Sequence, residues 1–381
     1  MRKKLKVVED KGVIGPRTLF GTAAHIREYH PFVEGTLLYW LEKFFDCEAV
    51  SLDSKDFLYL VNCPGLSFTG AATGNTMGSY DFSLLEDKDC KIIINDAMEG
   101  CSWFPSEVKD FLTYMDMCGI DPDQIMVVVQ NYNVAYERFP FKMVHWNFFE
   151  SFFRERAKEW IDYNDDAKKF LCLNRWPAQH RFYFMYQMQR HGILDQFNWS
   201  MGIIESPDTF NYGWNTWTWT DEMSTFANEF TPNIYDNSAI QYQKNLAFGG
   251  SPTWDFPEHK RESLLYIVTE TAFIDNDHVR DVSEKTWRPI SMQMPFILLH
   301  QPFALRRLRD IGYKTFHTIW DESYDIIEDP KERMDAIVSL VLELNSRKDF
   351  RDMIDSCRDI VEHNFNMLKM RRPEENWISM L

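Results

Sequence analysis

The sequence LLYIVTE (Leu264–Glu270), followed by VSEKTWRPI (Val282–Ile290) and MPFILL (Met294–Leu299), predicts a strand, a polar loop, a short helix and a second strand. Both apolar runs have the length of buried strands, and Ser283 stands where a helix N-cap belongs. Strands joined through a helix in this way predict a parallel sheet. The class of fold that follows is α/β.

The start of the predicted helix carries the triplet Ser283-Glu284-Lys285, which sets a cap, a carboxylate and an ammonium beside free backbone N–H groups. Helix N-termini favour anions, a lysine adds a movable charge for phosphate, and a glutamate accepts hydrogen bonds from sugar hydroxyls. Plain helix capping is the alternative. A lysine in the first turn opposes the helix dipole, however, so a bound anion explains it better. The triplet therefore predicts a site for a nucleotide-diphosphate sugar.

The rest of the chain repeats the alternation of strands and helices. Strands are predicted at 58–62, 91–95, 125–129, 169–173, 264–269, 295–299 and 313–316, and helices at 35–45, 106–117, 152–165, 178–191, 302–311, 331–346 and 348–370. This order predicts two Rossmann-like domains that face each other across a cleft, with helices at the C-terminal end. The N-terminal, acceptor-side domain would span 1–165, and the C-terminal, nucleotide-sugar-binding domain with its helical tail would span 166–381.

Composition limits the class of protein. The chain has 381 residues, 45% of them hydrophobic and 15% aromatic, which is enough for two cores. A net charge of -17 argues against a broadly basic nucleic-acid surface, although it leaves room for a local basic cleft. Seven cysteines without a CxxC pair indicate reduced thiols. With no evident signal peptide and no apolar run of about 18 residues, the expectation is a cytoplasmic protein without a membrane partner.

Further candidate residues follow other predicted strands. Asn174-Arg175 comes directly after the strand at 169–173, with Arg181 shortly beyond, and arginines there can hold a diphosphate bidentately. The alternative for them is a surface ion pair. Glu99 follows the strand at 91–95 and is the candidate general base, with Asp96 as its rival. The alternative for both carboxylates is a solvated loop.

No metal or cofactor is expected beyond the donor substrate. Asp275-Asn276-Asp277 and Asp121-Pro122-Asp123 have acidic spacings, but both stand in turn contexts where Asp and Asn are common. The sequence contains no P-loop, GxGxxG or HExxH motif. Arginine, lysine and helix dipoles would therefore neutralise a leaving diphosphate.

The second half of the sequence resembles the donor-binding half of alpha-1,3-fucosyltransferase-like enzymes. The resemblance rests on Asn174-Arg175 with Arg181, then Thr269-Glu270, then Val282–Trp287, and then Met294-Pro295-Phe296. The pattern is also similar to glycosyltransferase-like proteins of tailed phages, which carry a stretch like Asp321–Asp325. The likeness covers about 166–330 and is weak in the first half. Ser283 and Thr271 depart from the fucosyltransferase pattern, so a fucosyl donor is not implied.

The resemblance implies a GT-B-type, metal-independent, inverting hexosyl- or pentosyltransferase. Lys285, Arg175 and Arg181 would then bind the diphosphate, and Glu270 and Glu284 would bind ribose or sugar hydroxyls. The implied acceptor is a hydroxymethylated base in phage DNA, which would make the reaction a DNA modification in the host cytoplasm. Two alternatives stay open: a transferase for a glycan or a small molecule, and a non-catalytic nucleotide-sugar-binding protein.

Overall fold

A computed structural model of the chain describes residues 2–9, 37–62, 82–96, 105–130, 139–157, 162–174, 178–201, 216–229, 261–274 and 282–381. The chain divides into two compact units. Met1–Phe152 belongs to the first, together with the final segment Arg372–Leu381, whereas Phe153–Asp277 and Val282–Arg371 belong to the second. The sequence-based domain limits at 165 and 166 stay a prediction.

The first unit is built on a six-stranded parallel sheet with the order β2-β1-β3-β4-β5-β6. Its strands are β1 (Lys4–Glu9), β2 (Asp46–Ala49), β3 (Phe57–Asn62), β4 (Cys90–Asp96), β5 (Ile125–Val129) and β6 (Lys142–His145). The helices of this part of the chain are α1 (Leu37–Phe44), α2 (Pro105–Met117) and α3 (Phe148–Arg156). Strands β4 and β5 consist mainly of buried Ile and Val, as expected for parallel strands covered on both faces.

Three tryptophans join the final segment to the first unit. The ring of Trp146 lies 5.7 Å from Trp40 of α1 and 5.7 Å from Trp377. Trp377 belongs to the last helix of the chain, Glu375–Ile378. All three side chains are fully buried, so removing any of them would open a large cavity.

The second unit is built on a four-stranded parallel sheet with the order β10-β9-β7-β8. Its strands are β7 (Lys168–Leu173), β8 (Phe197–Ser200), β9 (Ser263–Thr269) and β10 (Phe296–Leu299). Helices α4 (Gln179–Arg190), α5 (Asp221–Glu229), α6 (Glu284–Ser291) and α7 (Ala304–Asp310) follow these strands. The chain ends with α8 (Pro330–Ser346), α9 (Phe350–Ser356), α10 (Arg358–Met370) and α11 (Glu375–Ile378). The predicted α/β class with two parallel sheets and C-terminal helices is confirmed.

The prediction of a strand at 313–316 is wrong. Asn364 of α10 forms hydrogen bonds with both backbone groups of Lys314. Its Oδ1 accepts from the N–H at 2.7 Å, and its Nδ2 donates to the carbonyl at 2.8 Å. Tyr313 and Phe316 are buried beside this residue. The segment is thus held by a side chain and by packing, and not by a neighbouring strand.

Two predicted helices have different limits in the structure. The helix predicted at 152–165 starts earlier, at Phe148, because Asn147 Oδ1 caps the N–H of Glu150 at 3.1 Å, and it ends at Arg156. The helix predicted at 348–370 is two helices separated at Cys357, whose N–H bonds the carbonyl of Ile354. Among the described residues, no helix is both long and apolar enough to cross a membrane.

Candidate functional site

The first turn of α6 lies at the carboxyl end of β9, where parallel sheets bind their ligands. Ser283 is the N-cap, with extended backbone (φ -90°, ψ -170°), and its hydroxyl accepts from the N–H of Lys285 at 3.4 Å. The helix therefore starts where the sequence predicts. Its positive dipole end points toward the end of the sheet, which makes this place suitable for an anion.

Glu270, the residue after β9, holds the first turn of α6 through hydrogen bonds. Its carboxylate accepts hydrogen bonds from the Ser283 N–H (2.9 Å) and hydroxyl (2.5 Å), from the Thr286 hydroxyl (2.6 Å) and from the Thr271 N–H (3.3 Å). Two carboxylate oxygens offer about four acceptor positions, so the group is saturated by the chain. The residue is only 1% exposed. These contacts assign Glu270 a role in holding α6, and its binding of ribose or sugar hydroxyls stays a prediction.

The ammonium of Lys285 lies at the same turn. It donates to Glu284 Oε1 at 2.6 Å, to Thr271 Oγ1 at 3.1 Å and to Ser283 Oγ at 3.1 Å. The Lys285 and Glu284 side chains are each 19% exposed, so this ion pair borders solvent. The predicted residues Ser283, Glu284 and Lys285 are thus brought together with Glu270.

Glu284 carries a negative charge at neutral pH. Burial raises its pKa, but the charge and hydrogen bond of Lys285, with the charge of Arg288, outweigh that effect and hold the pKa at about 2. The carboxylate is therefore ionised near neutral pH. A charged pair at this position means that the free protein already has an anion at the start of α6.

Asn174 and Arg181 lie at the carboxyl end of β7, beside Glu270. Asn174 Oδ1 accepts from the Thr269 hydroxyl at 2.5 Å, which links the ends of β7 and β9. Arg181, in the first turn of α4, donates to the Glu270 carbonyl at 3.2 Å and is buried. Their contact with a diphosphate stays a prediction, and Arg175 lies outside the described residues.

Two buried histidines complete this region, and sequence reasoning did not single them out as site residues. Since a carbonyl only accepts, His180 Nε2 donates to the Glu270 carbonyl at 2.8 Å. Burial, with the nearby charge of Arg181, lowers the pKa of His180 well below its usual value. Burial also lowers the pKa of His300, although the negative charge of Glu270 opposes this. His300 directly follows β10, and that place after a strand is the sequence signal that would have found it.

The candidate bases belong to the first unit. Asp96 is the last residue of β4, paired in register with Val129 of β5, so it stands at the carboxyl edge of the first sheet. Glu99 lies outside the described residues. The general-base role of both carboxylates stays a prediction. Within the described ranges, no three His, Cys, Asp or Glu side chains are grouped so as to hold a metal ion.

Neither a protein-family model nor a curated protein matches this sequence. Among solved structures, the chain is similar to an alpha1,3-fucosyltransferase bound to GDP, with 8% identity and a TM-score of 0.42 over 93% of this chain and 82% of that one. It is also similar to a T4 phage BGT mutant bound to UDP-glucose, with 10% identity and a TM-score of 0.43 over 98% and 97%. A structure of the DNA-modifying enzyme beta-glucosyltransferase gives 11% identity and a TM-score of 0.44 over 98% and 96%.

Proposed function

We propose that this protein is an inverting, metal-independent glycosyltransferase that moves a sugar from a nucleotide-diphosphate donor to an acceptor hydroxyl. The observation that carries the proposal is the first turn of α6, where Lys285 and the Ser283 cap lie at the positive end of the helix dipole. The turn is hydrogen-bonded to the carboxylate of Glu270, the residue after β9. A helix start in this position favours phosphate groups.

The residues at the start of α6 are suited to stabilise the leaving diphosphate. When the bond between the anomeric carbon and the phosphate oxygen breaks, the bonding electrons stay on the diphosphate and its negative charge grows. Lys285 and the dipole of α6 would stabilise that charge, with Arg181 and Arg175 as further candidates. An arrangement fixed in advance lowers the barrier because it needs no reorganisation during the reaction.

The acceptor hydroxyl would attack the anomeric carbon from the opposite face, so one displacement inverts the configuration there. Glu99 or Asp96 would take the proton from that hydroxyl as a general base. The carboxyl edge of a parallel sheet, where Asp96 ends β4, is a usual place for such a group.

The acceptor proposed first is a hydroxymethylated base in DNA, on the resemblance of the sequence to phage proteins. An enzyme acting on such a base in a duplex has to turn it out of the stack. A glycan or a small molecule is the other acceptor class. Salt separates the two, because DNA binding weakens steeply as salt rises, whereas binding of a neutral glycan does not.

The test is a thermal-shift and donor-hydrolysis screen with a panel of nucleotide sugars, comparing the wild type with Lys285→Ala. We expect one nucleotide sugar to stabilise the wild type, to be hydrolysed slowly and to have little effect on the variant. Equal responses of the two proteins would remove Lys285 from the donor site. Binding without any turnover, with or without acceptors, would favour a non-catalytic nucleotide-sugar-binding protein.

A further inference from the structure

The ammonium group of Lys285 has no hydrogen left for a ligand. A lysine ammonium has three N–H donors, and three acceptors surround this one: Thr271 Oγ1, Ser283 Oγ and Glu284 Oε1. A phosphate oxygen can therefore reach the lysine only if one of these acceptors leaves. The way in which the ligand binds depends on which of the three acceptors gives up its hydrogen bond to Lys285.

The Ser283 hydroxyl and the backbone of Thr271 are held in place by the Glu270 carboxylate. Ser283 donates its hydroxyl hydrogen to Glu270 Oε2 at 2.5 Å, and the N–H of Thr271 bonds the same oxygen at 3.3 Å. Glu270 itself is buried and saturated. The Ser283 hydroxyl thus belongs to a rigid frame, because moving it would leave a buried carboxylate short of a donor. The carboxylate holds Thr271 through its backbone N–H, which fixes the position of that residue in the loop.

Glu284 is the acceptor that can move. Its side chain is 19% exposed, and its Oε1 accepts from the Lys285 ammonium at 2.6 Å. Opening this ion pair loses a favourable contact, which a phosphate oxygen at the same ammonium would restore. Its carboxylate also resembles a phosphate in charge and in acceptor geometry, and both compete for the same donor.

A buried amide, that of Gln301, bonds the backbone of the loop that contains Thr271. Gln301 is 3% exposed, its N–H bonds the Ala272 carbonyl at 3.2 Å and its Nε2 bonds the Ile274 carbonyl at 3.1 Å. Within the part of the chain that the structure describes, its Oε1 has no hydrogen-bond partner. Buried acceptors are rarely left so, and an N–H or O–H of a bound molecule would satisfy this one.

We propose that Glu284 occupies, in the free protein, the place that a phosphate group of the donor takes at Lys285, and that a nucleoside diphosphate binds by displacing this carboxylate. The inference rests on the proposed function, because it concerns the same donor site. The free site is then closed to weak anions by its own neighbouring side chain. The measured affinity for a phosphate ligand is lowered by the fraction of molecules in which the pair is closed.

The experiment measures the binding of inorganic pyrophosphate by titration calorimetry at fixed ionic strength. Glu284→Gln keeps the shape of the side chain and removes its charge, so we expect it to bind pyrophosphate about 5-fold more tightly than the wild type. Glu284→Ala should behave in the same way if the charge is the cause. Adding Lys285→Met to either variant should abolish the gain in affinity, because the ammonium that would bind pyrophosphate is then missing.

Asp349→Asn is the matched control, since it removes one negative charge from the exposed Arg347–Asp349 pair in the same unit. It should leave the affinity for pyrophosphate unchanged. If the wild type binds pyrophosphate and Glu284→Gln binds no more tightly than this control, the displacement is wrong and the donor site stands. If neither the wild type nor Glu284→Gln binds pyrophosphate, UDP or GDP, both the displacement and the proposed function are overturned.

Discussion

The carboxylate of Glu270 accepts a 2.5 Å hydrogen bond from the hydroxyl of Ser283, and this bond joins the end of β9 to the cap of α6. The same carboxylate also accepts from the backbone N–H of Ser283 at 2.9 Å. A buried charge is tolerated only where hydrogen bonds compensate it, so the pair places a strand end and a helix start in one fixed relation. The geometry of the candidate donor site depends on that relation.

Glu270→Ala should lower the free energy of unfolding by about 2–4 kcal/mol, because it leaves buried hydroxyl and N–H donors without an acceptor. Urea unfolding at pH 7 measures the loss. Glu343→Ala, an exposed glutamate on α8, is the control and should change the stability by no more than about 0.5 kcal/mol. A loss at Glu270 as small as the control's would show that its hydrogen bonds are replaceable.

A second buried carboxylate depends on Arg309. The arginine donates to Glu322 Oε2 at 3.2 Å and to Thr315 Oγ1 at 2.8 Å. Burial raises the pKa of Glu322 in spite of these contacts, so its charged form is already costly in the folded state. Removing the arginine would leave that charge with less compensation.

Arg309→Met should therefore destabilise the protein by about 1–3 kcal/mol at pH 7, less than for a fully buried pair because the arginine is 36% exposed. The loss should shrink near pH 4.5. There the raised folded pKa lets Glu322 take up a proton before the unfolded chain does, which removes the uncompensated charge. Unfolding at the two pH values tests this, with the exposed Arg306→Met on the same helix as control. An equal loss at both values would show that packing and not charge is responsible.

The two buried histidines should also make the free energy of unfolding depend on pH. His180 and His300 are neutral in the fold because burial lowers the pKa of each, whereas in the unfolded chain each titrates near about 6.5. Their contribution is complete above about pH 6.5 and is lost as pH falls toward the folded values, since the unfolded state then binds more protons. Each histidine should add up to about 1.4 kcal/mol per pH unit to the slope.

Urea unfolding between pH 5 and 7.5 measures this slope. His180→Gln keeps a donor for the Glu270 carbonyl but cannot titrate, so the slope should fall by about half. His317→Gln, at an exposed histidine, should leave the slope as it is. A slope that is the same in all three proteins would mean that neither buried ring controls acid stability.

Long apolar runs made most of the second sheet predictable. Strand β9, a run of buried residues from Ser263 to Thr269, and the Ser283 cap of α6 follow from composition and capping alone. Strands β2 and β6 did not, because Asp46–Ala49 and Lys142–His145 are short, partly polar edge strands without the apolar run that marks a central strand.

The site shows a similar limit. The end of the predicted strand identified Glu270 and the start of the predicted helix identified Lys285, but the sequence does not show which hydrogen bonds each of them makes. The bonds from Ser283 and Thr286 to the Glu270 carboxylate depend on side-chain geometry across thirteen and sixteen residues of the chain. Local patterns do not encode contacts of that kind.

The general base gives the last prediction. If Glu99 takes the proton from the acceptor hydroxyl, Glu99→Gln should lower the transfer rate about 10²- to 10⁴-fold and leave donor binding unchanged. If Asp96 is the base, Asp96→Asn should do this instead. Initial rates with acceptor, and thermal shifts with donor alone, separate catalysis from binding in both variants.

The control for this pair is Asp89→Asn, which precedes β4 and removes the same charge at the opposite end of that strand. It should keep both the rate and the thermal shift, since ligands of parallel sheets bind at the carboxyl ends of the strands. A full rate in both Glu99→Gln and Asp96→Asn would remove these carboxylates from the mechanism. Because an inverting displacement needs its proton acceptor beside the attacking hydroxyl, that result would direct the search to polar side chains after β5 and β6, the next strands of the same sheet.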